Sequence, residues 1–109
     1  MTGFELASLA KMLVAVVLGG VIGLERQSHG RPAGLRTHIL VCLGATLAMV
    51  VTQSFGASVD PGRALAGIMT GIGFLGAGAI VKSEEMVRGL TTAACVWFVA
   101  ALGVVIGQG

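Results

Sequence analysis

The stretch GLERQSHGRPAGLRTH, Gly23–His38, decides how this chain of 109 residues folds. It sets Glu25, Arg26, His29, Arg31, Arg36 and His38 between two long apolar runs, with Gly30 and Pro32 placed to turn the chain. Both histidines and three of the seven Lys and Arg residues fall inside it. Charge this dense between oily flanks reads as a loop joining two membrane-spanning helices. Because Lys and Arg accumulate on the cytoplasmic side of membranes, the same charge predicts which side the loop occupies.

Working outward, four apolar runs appear at 6–24, 35–54, 64–81 and 90–106. Each is about 17–20 residues long, enough for ~30 Å of helix at ~1.5 Å per residue. Both prolines, Pro32 and Pro61, lie in connections. The expectation is an all-α membrane protein: one transmembrane domain over 1–109, with four helices in a Gly-rich bundle. The composition agrees, with 55% hydrophobic and 11% charged residues and a mean hydropathy of +0.94. A soluble domain carries about 25% charged residues. The first run lacks a cationic leader and a small-residue cleavage motif, so it reads as a retained span rather than a signal peptide. The first and third connections with their flanks hold Arg26, Arg31, Arg36, Lys82 and Arg88, against Lys11 and Arg63 opposite. Five against two predicts that these two connections face the cytoplasm.

A weak internal repeat runs through the chain. Leu18-Gly19-Gly20 returns as Leu75-Gly76-Ala77, and Gly34-Leu35-Arg36-Thr37 returns as Gly89-Leu90-Thr91-Thr92. Two hairpins of the same sidedness imply a parallel duplication; chance likeness between Gly-rich segments is the alternative.

Three GxxxG pairs, Gly19–Gly23, Gly67–Gly71 and Gly103–Gly107, open strips where another helix can press close. Ala15 extends the first. Run three adds Gly73, Gly76 and Gly78, and a helix so small on every side is expected at the centre, touched by several neighbours. Its GIGFLGAGAI segment could instead be locally unwound, since glycine is a poor helix former. Intramolecular packing, dimerisation or a permeation path would each use such strips. Cys42 and Cys95 fall in apolar runs and read as packing residues, with no metal site, cofactor or disulfide expected.

Glu25, Arg26, Arg36, Thr37 and His38 crowd the first connection, while Arg88, Thr91 and Thr92 open the fourth run. The dull reading is snorkelling arginines and capping threonines. The sharper one is a cytoplasm-facing site for an anion or an acidic partner, built from two helix N-termini, hydroxyls and arginines. The inventory speaks against a Mg²⁺ pore: Glu5, Glu25, Asp60, Glu84 and Glu85 all lie outside the spans or at their ends, and Mg²⁺ wants carboxylates. No nucleophile–base pair, phosphate loop or paired deep carboxylates favours an enzyme. A net charge of +2, with cations at span ends, gives no footprint for nucleic acid.

The runs GGVIGLERQ…RPAGLRTHILVCLGA, GRALAGIMTGIGFLGAGAIVK and VRGLTTAACVWFVAALGVVIG resemble the membrane domain of the MgtC/SapB family, from about residue 14 to 107. The resemblance implies a bacterial inner-membrane protein tied to growth in low magnesium and to virulence. It would act by restraining other membrane machinery, the ATP synthase among it. The GxxxG strips, apart from the resemblance, lead to the expectation of a homo-oligomer, a dimer first. The resemblance carries over to Gly19, Gly23, Glu25, Arg26, Gly34, Leu35, Arg36, Thr37, Gly73, Gly76, Gly78, Arg88, Gly89, Leu90, Thr92, Ala93, Ala94 and Trp97. Two departures stand out. Ser83 follows Lys82 where an acid is usual, and the chain ends at Gly109 where family members continue with a fifth span, so it reads as a minimal form or a fragment. The competing function is a small dimeric four-span transporter or channel.

Overall fold

Thr2 starts the first helix with a capping box: its hydroxyl accepts from the Glu5 N–H and the Glu5 carboxylate accepts from the Thr2 N–H, both at 3.2 Å. The computed structural model describes residues 2–31, 33–82 and 87–109, with backbone alone at 81–82 and 87–88. From this cap α1 runs over Gly3–Ser28; its 26 residues reach ~39 Å at ~1.5 Å per residue, longer than a ~30 Å hydrocarbon layer.

Helix α2 covers Leu35–Ser54 and has no side-chain cap of its own. Instead Gln27 on α1 accepts the Leu35 N–H at 3.2 Å, so the first helix caps the second. A 3-10 turn at Gly56–Ser58 leads to α3, Pro61–Ala79, which starts where Asp60 accepts the Gly62 N–H at 2.9 Å and Pro61 fixes the first turn. A short antiparallel ladder follows, β1 Val81–Lys82 on β2 Val87–Arg88, in the third connection. Helix α4, Leu90–Gln108, begins after Gly89, whose φ of 88° is left-handed. A Cβ there would collide with the Ala79 carbonyl oxygen, so glycine alone fits this corner.

Three of these helices, α1, α2 and α4, are long and apolar enough to cross a membrane. Arg63 and many glycines dilute α3, whose 19 residues are long enough for the same role. Leucine and aromatic side chains lie outward, with Leu13, Leu40, Phe74, Trp97 and Phe98 all exposed, while the buried apolar residues are alanines, valines, Cys42 and Met49. The accessible surface is 6878 Å² for 11.0 kDa, against about 5600 Å² for a water-soluble monomer of that mass. Its Cα extents, 53 × 28 × 14 Å, are those of a slab. An apolar coat of this size calls for lipid.

Helix α2 lies between α1 and α4, and α3 packs chiefly on α4. Glycine sets both central contacts. Cβ atoms at Gly19 and Gly23 would stand 2.8 Å from the His38 carbonyl oxygen and 2.8 Å from the Leu35 Cα. Cβ atoms at Gly103 and Gly107 would stand 2.5 Å and 2.6 Å from the Cys42 and Thr46 carbonyl oxygens. The fully buried Thr46 hydroxyl then donates to the Gly103 carbonyl at 2.9 Å, a polar link between α2 and α4.

Run three departs from expectation. It is a continuous helix rather than locally unwound, and it is peripheral rather than central, with Gly76 its one buried residue. Gly67, Gly71, Gly73 and Gly78 have open space where a Cβ would be. Small residues permit close approach, but they supply no attraction that chooses the centre of a bundle. The central position falls to α2, which offers carbonyls to glycines on both sides.

The repeat has a geometric counterpart. Gly19 meets α2 at His38, and Gly76, its equivalent, meets α4 at Ala93, the equivalent of His38. The second contact is looser, with a Cβ at Gly76 lying 3.6 Å from the Ala93 carbonyl oxygen.

Two classes of glycine should therefore separate on substitution. Gly103→Ala and Gly19→Ala force α2 away and should each cost about 1–3 kcal/mol. Gly67→Ala and Gly71→Ala should gain about 0.5–1 kcal/mol from helix propensity alone. Thermal unfolding in one detergent checks both, and equal behaviour of the two classes would contradict the packing.

Candidate functional site

The close approach at Gly23 brings α1, α2 and α4 together at the end that carries the first and third connections. One turn beyond Gly23, an Arg26 Nη donates to the Thr92 hydroxyl on α4. Thr92 is buried, as is the Arg26 Nε, which has no hydrogen-bond partner among the described residues. His38 is wholly buried. Its Nδ1 lies 2.9 Å from the Gly34 carbonyl oxygen and its Nε2 3.2 Å from the Cys95 Sγ. A carbonyl can only accept, so Nδ1 carries the proton and Nε2 accepts from the Cys95 thiol. Thr92 and Cys95 are three residues apart, on one face of α4, so the two contacts stack along the same seam.

Of the residues expected to form an anion or partner site, this seam unites Arg26, His38 and Thr92. Glu25, Arg36, Thr37 and Thr91 are exposed at the same end and take no part in it. The Arg88 side chain and the Glu84–Glu85 pair lie outside the described residues. The N-cap residues of α2 and α4 are Gly34 and Gly89, so the threonines do not cap these helices. Cys95, Gln27 and Thr46 were not expected as polar partners. Cys95 was legible only through its spacing from Thr92, and Gln27 only through its place one turn before the Gly30 bend.

A second polar group closes the opposite end. The Lys11 ammonium donates to the Gly107 carbonyl at 3.0 Å and to the Gln53 Oε1 at 3.3 Å, and the Gln53 Nε2 donates to the Gln108 carbonyl at 3.0 Å. Carbonyls at the end of α4, orphaned by helix geometry, are thus partnered by α1 and α2. Between the two ends runs an apolar core of Ala15, Val41, Cys42, Val96, Val99 and Ala100.

This combination of an ERQ end, a GLRTH start and a GLTTAA start meeting at one polar seam has a match among known families. The family model described as MgtC family matches residues 12–109. The chain belongs to the MgtC family. Among MgtC-family relatives, it is 50% identical over 95 residues to the protein MgtC of Brucella abortus, covering 87% of this chain and 40% of that protein. It is 43% identical over 109 residues to YhiD of Escherichia coli K12, provisionally named a magnesium transporter, covering 93% of this chain and 51% of that one. Protein SrpB of Synechococcus elongatus is 44% identical over 113 residues, with 91% and 62% covered. The chain thus spans about half the length of the curated relatives it matches. No solved structure matches it. Membership of the MgtC family and the three spanning-length apolar helices together make it a membrane protein.

The seam of this MgtC-family chain predicts an asymmetric double mutant. Thr92→Val leaves the Arg26 guanidinium facing a methyl group and should cost about 1–3 kcal/mol. Combining it with Arg26→Met replaces both partners by apolar groups and should recover at least half of that loss, read by unfolding in detergent. Additive losses would mean that the two side chains do not depend on each other.

Proposed function

We propose that the chain is the membrane unit of a regulator that binds other machinery of the bacterial inner membrane, rather than a carrier of Mg²⁺ or an enzyme. One observation carries this reading: the bundle interior between its two polar ends is packed with small and apolar side chains. Among the described residues the carboxylates Glu5, Glu25 and Asp60 are all exposed at helix ends. Among the described residues no carboxylate reaches that interior, where the Thr46 hydroxyl is already bonded to the Gly103 carbonyl, so Mg²⁺ would lack the acidic ligands it takes.

The same reading puts the first and third connections in the cytoplasm, from their excess of Lys and Arg. Arg31 and Arg36, both exposed at that end, are then free to meet an acidic partner surface, such as that of the ATP synthase. Rim charges of this kind steer association more than they hold it. A homodimer through the outer glycine face of α3 is compatible with this arrangement. The transporter reading keeps one support, the name given to the Escherichia coli relative.

Two measurements decide between them. Reconstituted into liposomes holding a Mg²⁺-sensitive dye, the chain should pass no more Mg²⁺ than empty vesicles. In inverted membrane vesicles, its expression should lower ATP-driven proton pumping, and Arg31→Glu with Arg36→Glu should restore it. Rapid selective Mg²⁺ flux with unaltered pumping would reverse the assignment.

A further inference from the structure

Nothing in the regulatory reading uses His38 or Cys95, yet their geometry is more specific than packing requires. The imidazole is 0% exposed, its tautomer is fixed by the Gly34 carbonyl at 2.9 Å, and its free Nε2 lone pair faces sulfur at 3.2 Å. A neutral imidazole anchored to a carbonyl through one nitrogen, with the other left free, is the state in which histidine ligates metal. Cys95 is only partly buried, so the sulfur side of the pair has access that the imidazole lacks.

We propose that His38 Nε2 and Cys95 Sγ form a two-coordinate site for a monovalent thiophilic cation, Cu(I) or its analogue Ag(I). Charge selects the valence. As the metal–sulfur bond forms, the thiol loses its proton to water, so thiolate and cation cancel and an electroneutral N–M–S unit is left among Val96, Val99 and their neighbours. A divalent ion at the same pair would leave one positive charge in a low-dielectric core, a costly state. It would also want about four ligands, and among the described residues no group of three or more His, Cys, Asp or Glu is placed to hold an ion. Thiolate softness selects Cu(I) over harder ions. Metal–sulfur and metal–nitrogen bonds of about 2.3 and 2.0 Å put the two ligand atoms about 4.3 Å apart in a linear unit. The thiol therefore swings outward by roughly 1 Å as the metal replaces the bridging proton. Cys42, one turn further along α2, has its Cβ and carbonyl against Gly19 and Gly103 and serves as the control thiol.

The test equilibrates the purified full chain in detergent with Cu(I) in anaerobic buffer containing acetonitrile, followed by dialysis. The wild type should retain one Cu(I) per chain and gain a thiolate-to-copper absorption band in the ultraviolet. Cys95→Ser keeps a hydroxyl to donate to His38, so the fold is preserved, but Cu(I) should bind at least about 100-fold more weakly. His38→Gln should weaken binding by at least about tenfold, and Cys42→Ala should bind as the wild type does. Undiminished binding by Cys95→Ser, loss of binding in Cys42→Ala, or no copper retained by the wild type would each overturn the assignment.

Discussion

Backbone against backbone is the contact on which this structure depends. Inside a bilayer, lipid tails are as apolar as leucine, so helices gain nothing by hiding large side chains from lipid. They gain by dispersion at close range and by pairing polar groups that lipid cannot satisfy. Helix α2 is held by both means: glycines of α1 and α4 admit its carbonyl oxygens on either side, and Thr46 reaches the Gly103 carbonyl. The large residues are left outward, where a water-soluble chain could not keep them.

Polar groups follow the same economy of place. The Arg26–Thr92 and His38–Cys95 contacts gather at one end, and Lys11, Gln53 and Gln108 at the other. A charge near the hydrocarbon boundary costs far less than one at its centre, so each end holds a cation bonded to protein acceptors while the middle, with its neutral Thr46–Gly103 bond, stays uncharged among the described residues. Both ends use α1 as the donor of the charged group and α4 as its acceptor. The first helix is therefore a brace along the whole height of the slab as well as a membrane anchor. Its length beyond the other helices fits this role.

Much of the fold was legible because it rests on period and composition. The four runs, the polar connection at Gly23–His38 and the Gly19–Gly23 and Gly103–Gly107 strips all depend on spacing, which a sequence displays directly. The place of α3 was not legible. Glycine on all faces tells how near a neighbour can come, but not whether one does, and the identical GxxxG spacing of Gly67–Gly71 faces open space. The candidate site was half legible for a related reason. Arg26, His38 and Thr92 were recognisable as polar residues at helix ends. Which of Thr91 and Thr92 turns inward depends on helix phase, and that phase is set by the left-handed Gly89 corner against Ala79. Cys95, as an apolar-looking residue in an apolar run, gave no sign of bonding to His38.

The two hairpins show how one plan can yield unequal halves. Equivalent positions meet in each, Gly19 with His38 and Gly76 with Ala93, but only the first contact is as close as backbone allows. In the second hairpin an alanine replaces the histidine, so α4 has no counterpart of the bond that His38 on α2 makes across to Cys95. The first hairpin also has Gln27 to cap its partner helix, whereas the second turns through a short ladder. The first half thus gained the polar bonds that fix its geometry, and the second kept the loose, Gly-lined face. One plan is carried out twice, with close backbone contact and a side-chain cap in the first hairpin and an open glycine face on α3 in the second.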